Sequence, residues 1–196
     1  MTGTPRLRLW LLRHAQPQDA QGLCYGAREV PVAQADTEAA AQIFFKVWAN
    51  AHPLSVPRLW VSERQRAQDL AHALCAHWHG LTPRTDARLN EFDFGDWEGT
   101  PWTQIPKAAL DAWTADFAHH RFGGRDSTGA LVERVRDALQ TLRQEPPSEP
   151  VVWVTHAGVI RAVDWLHRGE PTHALRADTW PLEAPGFGQW RVVDFP

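Results

Sequence analysis

The sequence predicts an α/β fold, a three-layer sandwich in which helices cover both faces of a mostly parallel sheet. Three observations carry that reading. Short apolar runs recur at 9–12 (LWLL), 58–62 (RLWVS) and 151–155 (VVWVT), each too short for a helix and fit for a buried strand. Between them lie longer stretches with apolar residues at helical spacing, and strands that alternate with helices form a sheet covered on both sides. The length, 196 residues with 43% hydrophobic and 22% charged, suffices for one sizeable core, so a single domain over 1–196 is expected.

The elements follow in chain order. Residues 6–13 alternate Arg6, Leu7, Arg8 and Leu9 before turning wholly apolar, as a strand entering a buried sheet does. Residues 15–33, broken by Pro17, Gly22, Gly26 and Pro31, read as a long loop. Ile43, Phe44, Val47, Trp48 and Ala51 then recur at helical spacing over about 36–51, and 58–62 forms the second strand. Ser62, followed three residues on by Gln65, has the form of a capping box. Ala67, Leu70, Ala71, Leu74 and Trp78 continue a helix whose opening turns hold Arg64 and Arg66. A third strand is expected over 84–89, a Gly-interrupted loop over 90–102, and a helix over about 107–118. Another helix covers about 127–144, with Leu131, Val135, Ala138 and Leu142 on one face, between the loops FGGRDS and EPPSEP. After the strand at 151–155 a helix runs from Ala157 to about His167, and two further strands are expected near 174–180 and 187–194.

Composition narrows the class. A net charge of −3 provides no global basic field for nucleic acid or an anionic membrane, so any affinity for an anion must be local. No window is long and apolar enough to span a bilayer, and the N-terminal apolar run is interrupted at Arg13 with no small-residue cleavage site after it. Cys24 and Cys75 are too few for a disulfide framework and form no C-x-x-C pair, which fits a reducing compartment. The expectation is a soluble cytoplasmic protein without nucleic-acid or membrane partners; the oligomeric state is left open. The eleven Trp read as core and loop packing.

Sheets of this kind bind ligands beyond the carboxyl ends of their strands, and Arg13, His14, Arg66 and His156 all fall at or just past such ends. Singly, each is an ordinary surface or hydrogen-bonded residue. Together, two guanidinium groups and two imidazoles can hold a phosphate dianion, with the helix N-termini after Ser62 and His156 adding backbone donors. Like-charge repulsion favours the neutral form of a histidine set among arginines, so His14, directly beside Arg13, is the candidate nucleophile toward phosphorus. The departing alkoxide needs a proton. Glu91, beside Phe92 and Phe94 in a Gly-bearing loop, is the best-placed acid, with Asp93, Asp96 and Glu98 as alternatives.

Four segments, LLRHAQP, VSERQRAQDLA, LNEFDFGDWEG and VTHAGVIRA, resemble in order the four signatures of the histidine phosphatase superfamily, the phosphoglycerate mutase-like group. The resemblance implies a phosphoglycerate mutase-like sandwich and a phosphohistidine formed on His14. It further implies phosphate contacts from Arg13, Arg66 and His156, proton donation by Glu91, and two displacements at phosphorus with no metal or other cofactor. The implied substrate is a small phosphorylated metabolite.

Some positions depart from the group's pattern. Ala15 stands where Gly is commoner, and Ala20 where some members place an Asn near the phosphate. Mutase relatives carry a Tyr and a Lys in the loop after the acid, used on a substrate carboxylate; this chain has Phe94 and Trp102, which favours hydrolysis over mutase-type phosphotransfer. The loop GLCYGAREVPV at 22–32 is similar to one in α-ribazole phosphatase-like members, although Ala27 takes an Arg position and Glu29 an Asp position. Its Tyr25 is the candidate substrate contact.

Two other readings compete. His72, Cys75 and His79 fall at i, i+3 and i+7 of a predicted helix, but they border its apolar stripe without a fourth ligand nearby, so packing is favoured over a metal. The strand-end cluster could also bind a phosphorylated partner without turnover; the joint presence of nucleophile, both arginines, acid and second histidine stands against that. His119 and His120 read as ordinary loop residues.

Overall fold

The computed structural model describes residues 7–53, 55–145 and 150–195. Arg6 of the expected first strand and residues 146–149 of the Pro-rich loop lie outside them.

Five strands make one sheet: β1 (Leu7–Arg13), β2 (Arg58–Val61), β3 (Arg84–Thr85), β4 (Val151–Thr155) and β5 (Trp190–Phe195), in the order β3-β2-β4-β1-β5. The first four are parallel, and β5 runs antiparallel along β1. Successive side chains of a strand point to opposite faces, so a wholly apolar strand must be covered on both. Leu9, Leu11, Val151 and Trp153 face one side, and Trp10, Leu12, Val152 and Val154 the other.

The helices meet that demand. They are α1 (Gln34–Ala51), α2 (Gln65–Cys75), α3 (Lys107–Ala115), α4 (Thr128–Gln144) and α5 (Ala157–His167). On the Trp10 face, α1 and α2 pack Phe44, Trp48, Leu70 and Leu74; on the Leu9 face, α4 and α5 pack Leu131, Val135, Ile160 and Val163, with Trp113 of α3 beside them. Six of the eleven tryptophans stand in two aromatic groups. Trp10, Trp48 and Trp78 surround Phe44 and α1, whereas Trp97, Trp102 and Trp113 meet Phe122 below the acid-bearing loop.

The topology creates a crevice. β1 leads into α1 on one face while its neighbour β4 leads into α5 on the other, and such divergence opens a cleft at the carboxyl ends. Register decides what stands there. Arg13 pairs with Thr155, and Val61 with Val154, so the next residues along the three chains are His14, His156 and Ser62. The His14 N–H donates to Thr155 O and the Ser62 N–H to Val154 O, both at 3.1 Å.

Some expected elements differ. Only Arg84–Thr85 of the third strand pairs; the Asp86 carboxylate then accepts the Arg88 N–H and turns Ala87–Leu89 into a 3₁₀ turn. α3 ends at Ala115, and the Ala118 carbonyl beyond it accepts the Gly129 N–H instead. No strand forms over 174–180. Thr172–Ala174 is a 3₁₀ turn, and the Arg176 guanidinium bonds Asp178 while the Arg176 carbonyl accepts the N–H groups of Thr179 and Trp180. Local pairing there closes a turn in a stretch whose alternation resembles a strand.

Candidate active site

His14 is 2% exposed, and its Nδ1 lies 2.7 Å from the Ala15 carbonyl. A carbonyl only accepts, so Nδ1 carries the proton and Nε2 the lone pair. Among the described residues nothing bonds Nε2. Burial, reinforced by the Arg66 guanidinium, pushes the imidazole from 6.5 down to about 3, so it is neutral at physiological pH. Ala15 itself is buried, and its extra methyl group, compared with Gly, leaves this carbonyl contact intact.

The second histidine is set by a relay from two neighbouring segments. Asn90 Nδ2 donates to Glu63, which turns Oδ1 toward the Glu63 N–H and the Ser62 hydroxyl, both at 2.8 Å. With its one hydrogen given to Asn90, Ser62 Oγ accepts from Nε2 of His156 at 2.8 Å. His156 is fully buried, and its Nδ1 has no partner among the described residues. Burial first, then Arg66 and His14, hold it well below its usual range. The two histidine rings stand 5.1 Å apart.

Two arginines flank the pair. Arg66, fully buried in the first turn of α2, donates Nη2 to Gly26 O at 2.6 Å and Nη1 to Arg28 O at 3.0 Å. Arg13 donates Nη1 to Pro185 O, and Phe187 lies against its guanidinium at 3.8 Å and beside the His14 ring at 5.5 Å. Both Nε atoms are buried without a partner among the described residues. Burial lowers both guanidinium pKa values, and Glu91 and Tyr25 partly restore them, which puts all four groups within Coulombic reach. The Tyr25 ring lies 5.5 Å from the Arg66 guanidinium carbon.

Glu91 stands at the start of α5. Its Oε2 accepts the Gly158 N–H and its Oε1 the Phe92 N–H, each at 3.0 Å. Two of the three alternative acids have other duties. Glu98 accepts four backbone N–H groups, from Gly26, Ala27, Arg28 and Phe94, and so pins the 22–32 loop to the acid-bearing loop. Asp93 Oδ1 accepts the Gly95 N–H. Gly26 is required at that junction: a β-carbon there would lie 1.8 Å from the Phe92 carbonyl.

The structure brings together His14, Arg13, Arg66, His156, Tyr25 and Glu91, and corrects two details around them, the cap of α2 and the reach of that helix. The capping box does not form: α2 begins at Gln65 after Arg64, and Ser62 instead serves His156 and Asn90. At each of the two helix N-termini one N–H is already engaged, that of Gln65 by Glu29 and that of Gly158 by Glu91. α2 ends at Cys75, which leaves His79 off the helix, and among the described residues no three His, Cys, Asp or Glu side chains gather as metal ligands. Ala20 is buried and brings no polar group to the pocket. His119, exposed, lies 3.4 Å from Asp116 on its own loop. Cys24 is buried, which with nearby Glu98 pushes its thiol up to about 12.

Ser62, Asn90, Phe187 and Arg134 were missed as site-building residues. Arg134 had a readable signal, since it interrupts the apolar stripe of α4 between Leu131, Val135 and Ala138, and a cation there needs a partner.

The family model of the histidine phosphatase superfamily (branch 1) matches residues 9–181, and the chain belongs to that family. Among its relatives is the adenosylcobalamin/alpha-ribazole phosphatase of Escherichia coli, 26% identical over 192 residues, which cover 96% of this chain and 90% of that one. The glucosyl-3-phosphoglycerate phosphatase of Mycobacterium tuberculosis is 32% identical over 170 residues, 80% of this chain and 73% of that one. The solved structure of a mycobacterial glucosyl-3-phosphoglycerate phosphatase superposes with a TM-score of 0.77 at 29% identity, covering 96% of this chain and 90% of that chain. These relatives are phosphatases. Among the described residues no helix is long and apolar enough to cross a membrane.

Proposed function

We propose that the protein is a phosphomonoesterase that hydrolyses a small phosphorylated metabolite through a phosphohistidine on His14. One observation carries the reading: a neutral His14 with its Nε2 lone pair free shares a crevice with three buried, unpartnered nitrogens, Arg13 Nε, Arg66 Nε and His156 Nδ1. Two guanidinium N–H groups, with the His156 imidazole once it takes up a proton on Nδ1, are what a phosphoryl group would satisfy.

In the first step His14 Nε2 forms a bond to phosphorus as the ester P–O bond breaks, and the departing oxygen takes a proton from Glu91. In the second, water attacks the phosphohistidine, its proton passes to the Glu91 carboxylate, the N–P bond breaks and inorganic phosphate leaves. The arginines and His156 carry the phosphoryl charge throughout, so this chemistry proceeds without a metal ion. Phe94 and Trp102 pack edge to face at 5.4 Å and bring neither the phenolic hydroxyl nor the ammonium group that mutase relatives set against a substrate carboxylate, which favours hydrolysis over mutase-type transfer.

The test is turnover of p-nitrophenyl phosphate by purified protein with a chelator present. The reading predicts activity that survives chelation and falls by ~10³-fold or more in His14→Ala. Inactivity at every pH from about 5 to 8 would leave a phosphate-binding module instead.

A further inference from the structure

The segment that carries Glu91 is gripped from behind by a residue outside the pocket. Arg134 projects from the buried stripe of α4 with its side chain 21% exposed. Its Nη1 donates to the carbonyls of Arg88 (2.9 Å) and Asn90 (2.6 Å), and its Nη2 to the carbonyl of Glu91 (3.2 Å) and to the Asp126 carboxylate (3.4 Å). A single planar fork thus gathers three carbonyls of 88–91, a task a lysine cannot reproduce. Asp126 completes the grip: it accepts the Asp93 N–H at 3.1 Å and gives its own N–H to Asp93 O at 3.2 Å. The chain is therefore fixed on both sides of Glu91.

Stability alone does not account for a cation at this place. Burial lowers the Arg134 pKa, and replacement of a buried cation by an apolar side chain of similar volume is often neutral or stabilising. The position shares the α4 stripe with Leu131 and Val135, where methionine would fit.

We propose that Arg134, braced by Asp126, is the positioning residue for the general acid, holding Glu91 where it can reach the leaving oxygen of an ester bound at His14. The inference rests on the reading of Glu91 as that acid. Arg134 itself touches no substrate and acts only through the backbone of 88–91.

The experiment measures kcat and kcat/KM for Arg134→Met, Arg134→Lys and Glu91→Gln on aryl phosphates from p-nitrophenyl to phenyl phosphate, with inhibition by vanadate as a reading of the anion pocket. p-Nitrophenolate departs with little protonation, and phenolate needs more. Arg134→Met is expected to lose ~30-fold on phenyl phosphate but no more than ~3-fold on p-nitrophenyl phosphate, with vanadate inhibition within ~2-fold of wild type. Arg134→Lys, which keeps the charge without the fork, should fall between them, and it carries the comparison if Arg134→Met does not fold. Equal losses on every substrate would overturn the positioning role. A steep dependence in Glu91→Gln with a flat one in the Arg134 variants overturns this inference alone; a flat dependence in Glu91→Gln overturns the acid assignment and this inference with it.

Discussion

Ser62 Oγ lies 2.8 Å from Nε2 of His156 and, having given its hydrogen to Asn90, only accepts there. The relay leaves His156 with a bare Nδ1, buried and unpartnered among the described residues, next to two guanidinium groups that call for an anion. A bare nitrogen repels a phosphate oxygen; a protonated one binds it.

Phosphate binding should therefore take up a proton. Calorimetry with inorganic phosphate at about pH 8, where the ligand is mostly dianionic, is expected to show an uptake of ~1 proton when the binding enthalpy is compared across buffers. No uptake would mean that His156 meets the anion in some other state. Ser62→Ala, which releases the tautomer and lets a neutral His156 carry its proton on Nδ1, should lower that uptake toward zero.

Gly158 offers a separate handle on the acid. A β-carbon at Gly158 would stand 2.2 Å from Glu91 Oε1, so alanine there must displace the carboxylate. Alanine is otherwise favoured in a helix by about 1 kcal/mol, so Tm should not fall. Turnover of phenyl phosphate is expected to drop ~10-fold or more, and unchanged turnover would show that the observed Glu91 position is not the working one.

The buried histidines link stability to pH. In the folded chain burial and the nearby charges, Arg66 foremost, hold His14 at about 3 and His156 well below 6.5, whereas both titrate near 6.5 when unfolded. In that window the unfolded chain binds more protons, so unfolding free energy is full above about 6.5 and declines as pH falls toward about 3. Urea unfolding of His14→Asn should show a shallower decline than wild type. An equal slope in the two would remove His14 as a buried neutral group.

The residues at the strand ends were legible because an apolar run that stops at a charged or titratable residue marks where a buried strand reaches the ligand edge. Arg13–His14 and His156 are such stops, and the parallel register of β1 and β4 brings them side by side. What the sequence hid was which tertiary partner each polar group would choose. Ser62 looks like a cap for α2 but is drawn to Asn90 and His156, and one opening N–H each of α2 and α5 goes to Glu29 and Glu91, which lie far away in sequence. Four carboxylates share the 91–98 segment, and only the folded loop shows that Glu98 is consumed by backbone N–H groups while Glu91 faces the pocket's cations. Residues 174–180 misled because alternation alone cannot tell a strand from a turn closed by Arg176 and Asp178.

The most direct measurement is a rapid-quench experiment with a phosphate ester labelled in its phosphoryl group. Wild-type protein should yield a labelled phosphoenzyme within the first turnover, stable in base and labile in acid as a phosphohistidine is, and His14→Ala should yield none. A label that is stable in acid, or that persists in His14→Ala, would contradict His14 as the nucleophile.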